Sequence, residues 1–210
     1  MMYTITLWIH IAAGIGTLLG AAGAILTKIF SYPHQWHVYS GRLFYYGMVV
    51  VFITSLIMTS IRPNIFLFLI SIFSFYLAFT GWRSAVNRFG IAGFQDYISL
   101  TIMGIAGLGM LITGINYLIH QNDQGVTLLI FGLIGISLSG SQTLAYRKKL
   151  TGVSRINDHI RHMMAATIAA ITAFLVTNLQ SDPEWIAWIA PTIVMTPLIP
   201  WFIIKKEIRN

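Results

Sequence analysis

The chain contains no cysteine, and charged residues occupy only 9% of its 210 positions. The absence of cysteine excludes disulfide bonds, thiolate metal centres and cysteine nucleophiles. Soluble domains carry roughly 25% charged residues, so a chain that is 56% hydrophobic has too little polar surface to cover a soluble globule. A lipid bilayer is therefore the expected solvent and partner for most of the chain.

Familiar catalytic and nucleotide-binding motifs are also missing. The sequence has no HExxH zinc motif, no phosphate-binding P-loop, no Rossmann fingerprint and no Ser-His-Asp arrangement. The net charge of +7 does not indicate nucleic acid, because the basic residues lie between apolar runs and no DNA-binding motif is visible. Whether the chain is an enzyme stays open at this point.

The sequence is rich in long apolar runs. A membrane helix needs about 20 mostly apolar residues, and polar turns separate the runs. Residues 146–158 form the longest predicted loop. We therefore predict an all-α fold, a single integral membrane domain over residues 1–210 that is a bundle of seven transmembrane helices. The seven runs are roughly 4–28, 38–60, 63–83, 96–119, 125–146, 159–179 and 185–204.

The distribution of positive charge predicts the orientation of the chain. Alternate loops and the C-terminal tail carry 12 of the 13 basic residues, and Arg62 alone lies on the other side. Because basic residues favour the cytoplasmic side, we expect the N-terminus outside and the C-terminus in the cytoplasm of a multi-pass protein of the bacterial inner membrane. The first run lacks the basic start and the short apolar core of a cleavable signal peptide.

Small residues and prolines predict local features of the first and last runs. Gly16 and Gly20 have the small-xxx-small spacing that lets two membrane helices approach closely. The last run contains three prolines, which predict kinks because proline removes a backbone hydrogen bond. These are Pro191, Pro197 and Pro200.

Histidines near the predicted membrane surfaces are the main candidates for function. Ionisable groups inside a membrane are costly and mark candidate sites. The predicted cytoplasmic ends of the helices gather several of them, and His10 lies about 27 Å away from that surface at 1.5 Å per residue. We expect His34 and His120 to be solvated. The inner group consists of His37, Arg42, Arg83, His159 and His162.

Two kinds of site are compatible with these residues. His159 and His162 share one helical face, and with His37 they would make a three-nitrogen site suited to zinc or iron. Asp158 is expected only to cap the sixth helix. Haem b is the other possibility, since a haem between helices needs an axial histidine and a small residue one turn along.

The haem pattern occurs twice. Gly14 follows His10 by four residues, and Gly41 follows His37 by four. His159 or His162 would be the inner partner, and His120 is the only outer partner. Arg42 and Arg83 would otherwise be interfacial anchors, but they suit bidentate pairing with haem propionates.

Three segments resemble a known family. They are HIAAGIGTLLGAAGAIL (10–26), HVYSGRLFYYGMVV (37–50) and DHIRHMMAATIAAITAFLV (158–176). Together they resemble a bacterial family of multi-pass membrane proteins of unknown function, DUF family 2306. The resemblance implies a membrane protein without assigned chemistry, and it implies that the histidines matter. The matched positions are His10, Gly20, His37, Gly41, Arg42, His159 and Met163.

Four functions remain open from the sequence. The first is a haem-linked membrane redox protein resembling b-type cytochromes, with a redox partner. The second is a transporter for a small solute or anion, and the third is a His-ligated metal protein. The fourth is a non-catalytic membrane scaffold. The inner-site hypotheses all require the second and sixth helices to be neighbours.

Overall fold

The computed structural model consists of α-helices joined by short turns over the residues that it describes. It describes residues 1–179 and 181–208, with side chains described as far as Ile204. Seven segments among these residues are long and apolar enough to cross a membrane, which confirms the all-α, multi-pass membrane architecture. The helices are α1 (Met2–Ile29), α2 (His34–Ile61), α3 (Ile65–Val86), α4 (Phe94–Ile119), α5 (Gln124–Arg147), α6 (Gly152–Asn178), α7 (Trp185–Met195) and α8 (Leu198–Ile208).

Two helices begin earlier than the apolar runs predicted. α2 starts at His34, directly after Pro33, whose ring cannot continue a helix in the N-terminal direction. α6 starts at Gly152, so the predicted loop 146–158 shrinks to a short turn. Positive φ angles at Lys149 (48°) and Gly152 (54°) reverse the chain there. Asp158 therefore lies within α6, and the expectation that it caps this helix is wrong.

The seventh apolar run is divided into two helices. α7 ends at Met195 and α8 begins at Leu198. Pro197 lies at this break, and its missing N–H and its ring disfavour an uninterrupted helix there. Pro191 lies inside α7, and Pro200 lies in the first turn of α8, where proline is tolerated. Of the predicted tail residues, Arg209 and the side chains of Lys205 and Lys206 lie outside the described residues.

The chain divides into two compact units, which are described one at a time. Unit 1 is Met1–Ser71 and contains an antiparallel hairpin of α1 and α2. A Cβ atom on Gly20 would lie 2.5 Å from the backbone nitrogen of Phe44, whereas one on Gly16 would meet only Leu43 at 3.9 Å. The close approach predicted from the glycine pair is thus confirmed at Gly20.

Unit 2 runs from Ile72 to the end of the chain. α4 and α5 pack closely and antiparallel, because a Cβ on Gly125 would lie 2.6 Å from the carbonyl oxygen of Gly114. A second close contact between these helices lies further along, where a Cβ on Gly132 would lie 3.0 Å from the carbonyl oxygen of Gly107. α3 approaches α6 at Gly81, which has no room for a side chain beside Met163.

Candidate functional site

His10 lies on α1 in unit 1 and is held by α2. Its Nδ1 is 2.9 Å from Oγ1 of Thr54. The Thr54 hydroxyl lies 2.7 Å and 3.0 Å from the carbonyl oxygens of Val50 and Val51, to one of which it donates its proton. It therefore accepts from His10, so the neutral imidazole carries its proton on Nδ1 and its lone pair on Nε2.

His37 is oriented in the same way at the other end of the hairpin. Its Nδ1 lies 3.0 Å from the carbonyl oxygen of Ala24 on α1. A carbonyl only accepts, so Nδ1 donates and the lone pair of the neutral ring is on Nε2. His10 and Ala24 are 14 residues apart on α1, so the two histidines lie at levels about 21 Å apart. That the two levels lie near opposite membrane surfaces stays a prediction.

The glycines one turn after these histidines have open space around them. No atom lies within 4 Å of where a Cβ on Gly14 or on Gly41 would be. Gly20 and Gly47, on the same two helices, are in contact with the facing helix. The glycines that follow the histidines are therefore not needed for packing the hairpin.

His159 and His162 differ in their surroundings although they share one helix. Nδ1 of His159 lies 2.8 Å from the carbonyl oxygen of Gly81 on α3. Nδ1 of His162 faces its own helix, at 3.1 Å from the carbonyl oxygen of Asp158 and 3.4 Å from its Oδ1. His162 is only 4% exposed, and its Nε2 is buried without a hydrogen-bond partner among the described residues.

The contacts of Asp158 were not predicted. Ser84 Oγ, on α3, lies 2.6 Å from Oδ2 of Asp158. The same hydroxyl lies 3.0 Å from the carbonyl oxygen of Thr80. The carboxylate is the closer and the charged acceptor, so it receives the hydroxyl proton. A cavity of about 20 Å³, enough for one water molecule, lies between Asp158, Gln142 and Arg155.

Arg83, near the end of α3, forms an ion pair with Asp96 at the start of α4. Its Nε and Nη2 donate to Oδ1 and Oδ2 of Asp96 at 2.6 Å and 2.7 Å. Asp96 is fully buried, and it also accepts the backbone N–H of Gly93 and the hydroxyl of Tyr146. A propionate at Arg83 would have to compete with Asp96, whereas Arg42 is exposed in unit 1.

Arg155 also makes contacts that were not predicted. Its Nη1 donates to the carbonyl oxygens of Ser84 at 2.7 Å and Ala85 at 2.6 Å. These carbonyls belong to the last turn of α3, where the helix itself supplies no donor. The guanidinium thus caps α3 from α6.

A long groove of about 640 Å³ lies within unit 2. One face of α5 lines it from Phe131 to Lys148, which corresponds to about 25 Å along the helix. The rings of Phe73 and Phe131 stack at 5.2 Å, nearly parallel, at its apolar end. The other lining residues are Leu77, Ile134, Leu138, Ser141, Leu144, Ala145, Leu150, Asp158, Arg161, His162, Ala165, Ile168, Thr192, Thr196 and Ile199.

The charges of the groove lie toward one of its ends. Lys148 follows α5, and Arg161 lies in the third turn of α6. Both side chains are exposed, and within the described part of the chain neither forms an ion pair. Asp158 is turned toward Ser84. The end of the groove beside Lys148 is thus polar and cationic, and the end beside Phe131 is apolar.

The predicted three-histidine metal site spans the two units. His37 belongs to unit 1, and His159 and His162 belong to unit 2. Within the described residues of either unit, no three His, Asp or Glu side chains come together at metal-binding distance. The zinc or iron site therefore stays a prediction. His34 and His120 are exposed, as expected.

Comparison with known proteins gives no relative from which to transfer a function. No protein-family model, no curated protein and no solved structure matches the chain. The functional interpretation therefore rests on the geometry described above.

Proposed function

We propose that this chain is a haem-linked redox protein of the bacterial inner membrane, with its N-terminus outside and its C-terminus in the cytoplasm. The proposed ligands are His10 near one surface and His37 and His159 near the other. The resemblance to DUF family 2306 supplies no chemistry, so the histidine geometry carries the proposal. Electron transfer to a partner is the activity that such a protein would have.

The observation that supports this proposal is the shared orientation of the three rings. Each donates Nδ1–H to an acceptor on a neighbouring helix, at 2.9 Å, 3.0 Å and 2.8 Å for His10, His37 and His159. Metal-binding histidines typically donate their second ring nitrogen in this way, which fixes the ring and leaves a lone pair for the metal. His120 and His162 also use Nδ1, but their acceptors lie on their own helices.

The glycines and arginines near these histidines would hold the haem. Haem supplies one-electron transfer when bound, with a potential tuned by its axial ligands. The open faces at Gly14 and Gly41 leave room beside His10 and His37. Arg42 is the stronger candidate for a propionate, because the guanidinium of Arg83 is already paired with Asp96.

The first experiment is a visible spectrum of the purified protein, oxidised and then reduced with dithionite, after expression with ample haem. We expect a Soret band that is lost or displaced in His37→Ala and in His159→Ala. His34→Ala is the matched control, because His34 is exposed and is not a proposed ligand. A stable but colourless wild-type protein would refute the haem assignment.

A second variant tests the orientation of the ring directly. Thr54→Val removes the hydroxyl that accepts from His10 while nearly preserving side-chain volume, and it leaves the backbone of Val51 as the remaining partner. If His10 is a ligand, the reduced spectrum should broaden or the midpoint potential should move, while the protein still binds haem. An unchanged spectrum and potential in both Thr54→Val and His10→Ala would mean that His10 does not contact iron.

Transport of a small anion is a second candidate function. The break of the seventh span lies beside the groove, since Thr196 and Ile199 on either side of Pro197 both line it. Broken helices beside a binding site are a feature of many secondary transporters. Saturable uptake of an anion into proteoliposomes, with no visible absorption by the protein, would favour transport over electron transfer.

A further inference from the structure

The groove of unit 2 has a shape and a charge distribution that the haem proposal does not use. Its volume of about 640 Å³ over about 25 Å of α5 gives an average cross-section of about 25 Å². This section is what the centre of a water molecule can reach, so with a radius of about 1.4 Å added on each side the groove forms a channel about 8 Å across. The channel is about three times longer than it is wide, so it suits an extended hydrocarbon chain better than a broad, flat ring system.

The lining residues change character along the channel. The end at Phe73, Phe131 and Ile168 is wholly apolar, and the end at Lys148 and Arg161 is cationic. A ligand that matches both ends has a long apolar tail and one anionic head. Asp158 does not cancel the two cations, because it supplies one negative charge and is hydrogen-bonded to Ser84.

A third observation concerns His162, which contributes to the wall of the groove. Its Nε2 is buried and makes no hydrogen bond within the described residues, although buried polar atoms are nearly always hydrogen-bonded in folded proteins. This atom has no surface open to the groove, so a head-group oxygen becomes its partner only when the imidazole turns toward the polar end.

We infer that the groove binds a single-chain fatty acid, with its carboxylate between Lys148 and Arg161 and its tail extending toward Phe131. A carboxylate suits these two donors, because charge-assisted hydrogen bonds to Arg and Lys are the strong ones. The inference is independent of haem, since it uses neither His10, His37 nor His159.

The test uses parinaric acid, a naturally fluorescent fatty acid, with the full-length protein in phosphatidylcholine nanodiscs. The acid should bind saturably, and its methyl ester should bind about tenfold or more weakly, because the ester loses the charged hydrogen bonds. The double variant Lys148→Gln and Arg161→Gln should reduce the affinity for the acid to that for the ester. It should leave the affinity for the ester unchanged.

Two further variants locate the binding site. Arg147→Gln with Lys149→Gln is the matched control, since it removes the same charge from neighbouring positions that do not line the groove. It should retain wild-type affinity. Ala165→Trp, from α6, should abolish binding of acid and ester by filling the channel, and Leu138→Trp, from α5, repeats this test if the first variant does not fold.

Several outcomes would overturn the inference. One is equal affinity for the acid and the ester. Another is binding that survives both tryptophan variants, which would place the ligand elsewhere. Displacement of parinaric acid by phosphatidylglycerol, but not by oleic acid, would show that the occupant is a two-chain lipid. The absence of any saturable binding would refute the site altogether.

Discussion

The ion pair between Arg83 and Asp96 makes the most quantitative prediction about unit 2. Asp96 is fully buried, Arg83 is 13% exposed, and the acid accepts four hydrogen bonds in all. Hydrogen bonds within membrane proteins average about 0.6 kcal/mol each, so four bonds alone predict a loss of about 2.4 kcal/mol for Asp96→Ala. Leaving one charge of a buried pair without its partner costs about 3–5 kcal/mol.

The cost of the unpaired charge should dominate at this site, at the lower end of the range of about 3–5 kcal/mol. The guanidinium of Arg83 loses its counter-ion in Asp96→Ala, and its small exposed fraction allows it only partial contact with water or lipid head groups. We expect the free energy of unfolding to fall by about 3 kcal/mol. Tyr146→Phe removes the long bond of 3.1 Å to Asp96 and should cost about 0.6–1 kcal/mol.

The assay is reversible unfolding by SDS in mixed micelles, followed by circular dichroism. Asp123→Ala is the control, because Asp123 is exposed and makes no side-chain cap; it should change stability by less than about 0.5 kcal/mol. The double variant Asp96→Ala with Arg83→Met should be more stable than Asp96→Ala alone, because no unpaired charge remains. A loss below about 1 kcal/mol for Asp96→Ala, or strictly additive effects, would refute the reasoning.

Two other predictions rest on individual contacts, and a third rests on the predicted orientation of the chain. Gly125→Ala should destabilise the protein by about 1–3 kcal/mol, because its Cβ would lie 2.6 Å from a backbone oxygen of α4. Gly140→Ala on the same helix, which meets no atom within 4 Å, should be neutral or stabilise by up to about 1 kcal/mol; equal effects in SDS unfolding would contradict this. Arg155→Gln should lower the free energy of unfolding by about 1–2 kcal/mol, because it leaves the end of α3 uncapped. An unchanged thermal unfolding temperature would contradict this. Since the chain has no cysteine, single cysteines that replace Arg88 and Asp123 can be labelled with an impermeant maleimide. With the N-terminus outside, only the cysteine at position 123 should react in intact cells.

The number of spans could be predicted because hydropathy acts locally. Each apolar run of about 20 residues must form a helix in lipid to satisfy its own backbone, and this requires no knowledge of the partners. The packing role of Gly20 could also be predicted, because its spacing from Gly16 is typical of close helix contacts. Of the two glycines, only Gly20 lies close to α2. Which of them makes the contact depends on the register of the hairpin, and the spacing does not predict it.

The polar contacts of unit 2 could not be predicted, because they join residues that are far apart in the sequence. Ser84 and Asp158 are 74 residues apart in sequence, and nothing in either segment indicates the other. The segment 152–158 was expected to be a loop because it is polar. It is helical because its polar side chains have partners in the fold, with Arg155 on the end of α3 and Asp158 on Ser84. Polar residues with tertiary partners make a membrane-protein helix resemble a loop in sequence.

The two histidines of α6 provide a way to separate the two proposals. His159 is held by α3 through Gly81, whereas His162 is held by its own helix and lines the groove. His159→Gln should therefore change the haem spectrum and leave the binding of parinaric acid unaltered. His162→Gln should leave the spectrum unaltered and should change the affinity for the acid more than that for its methyl ester, because Nε2 faces no other partner. If both variants changed both measurements, the haem and the groove would be a single site, and His162 would have to be restored to the set of haem ligands.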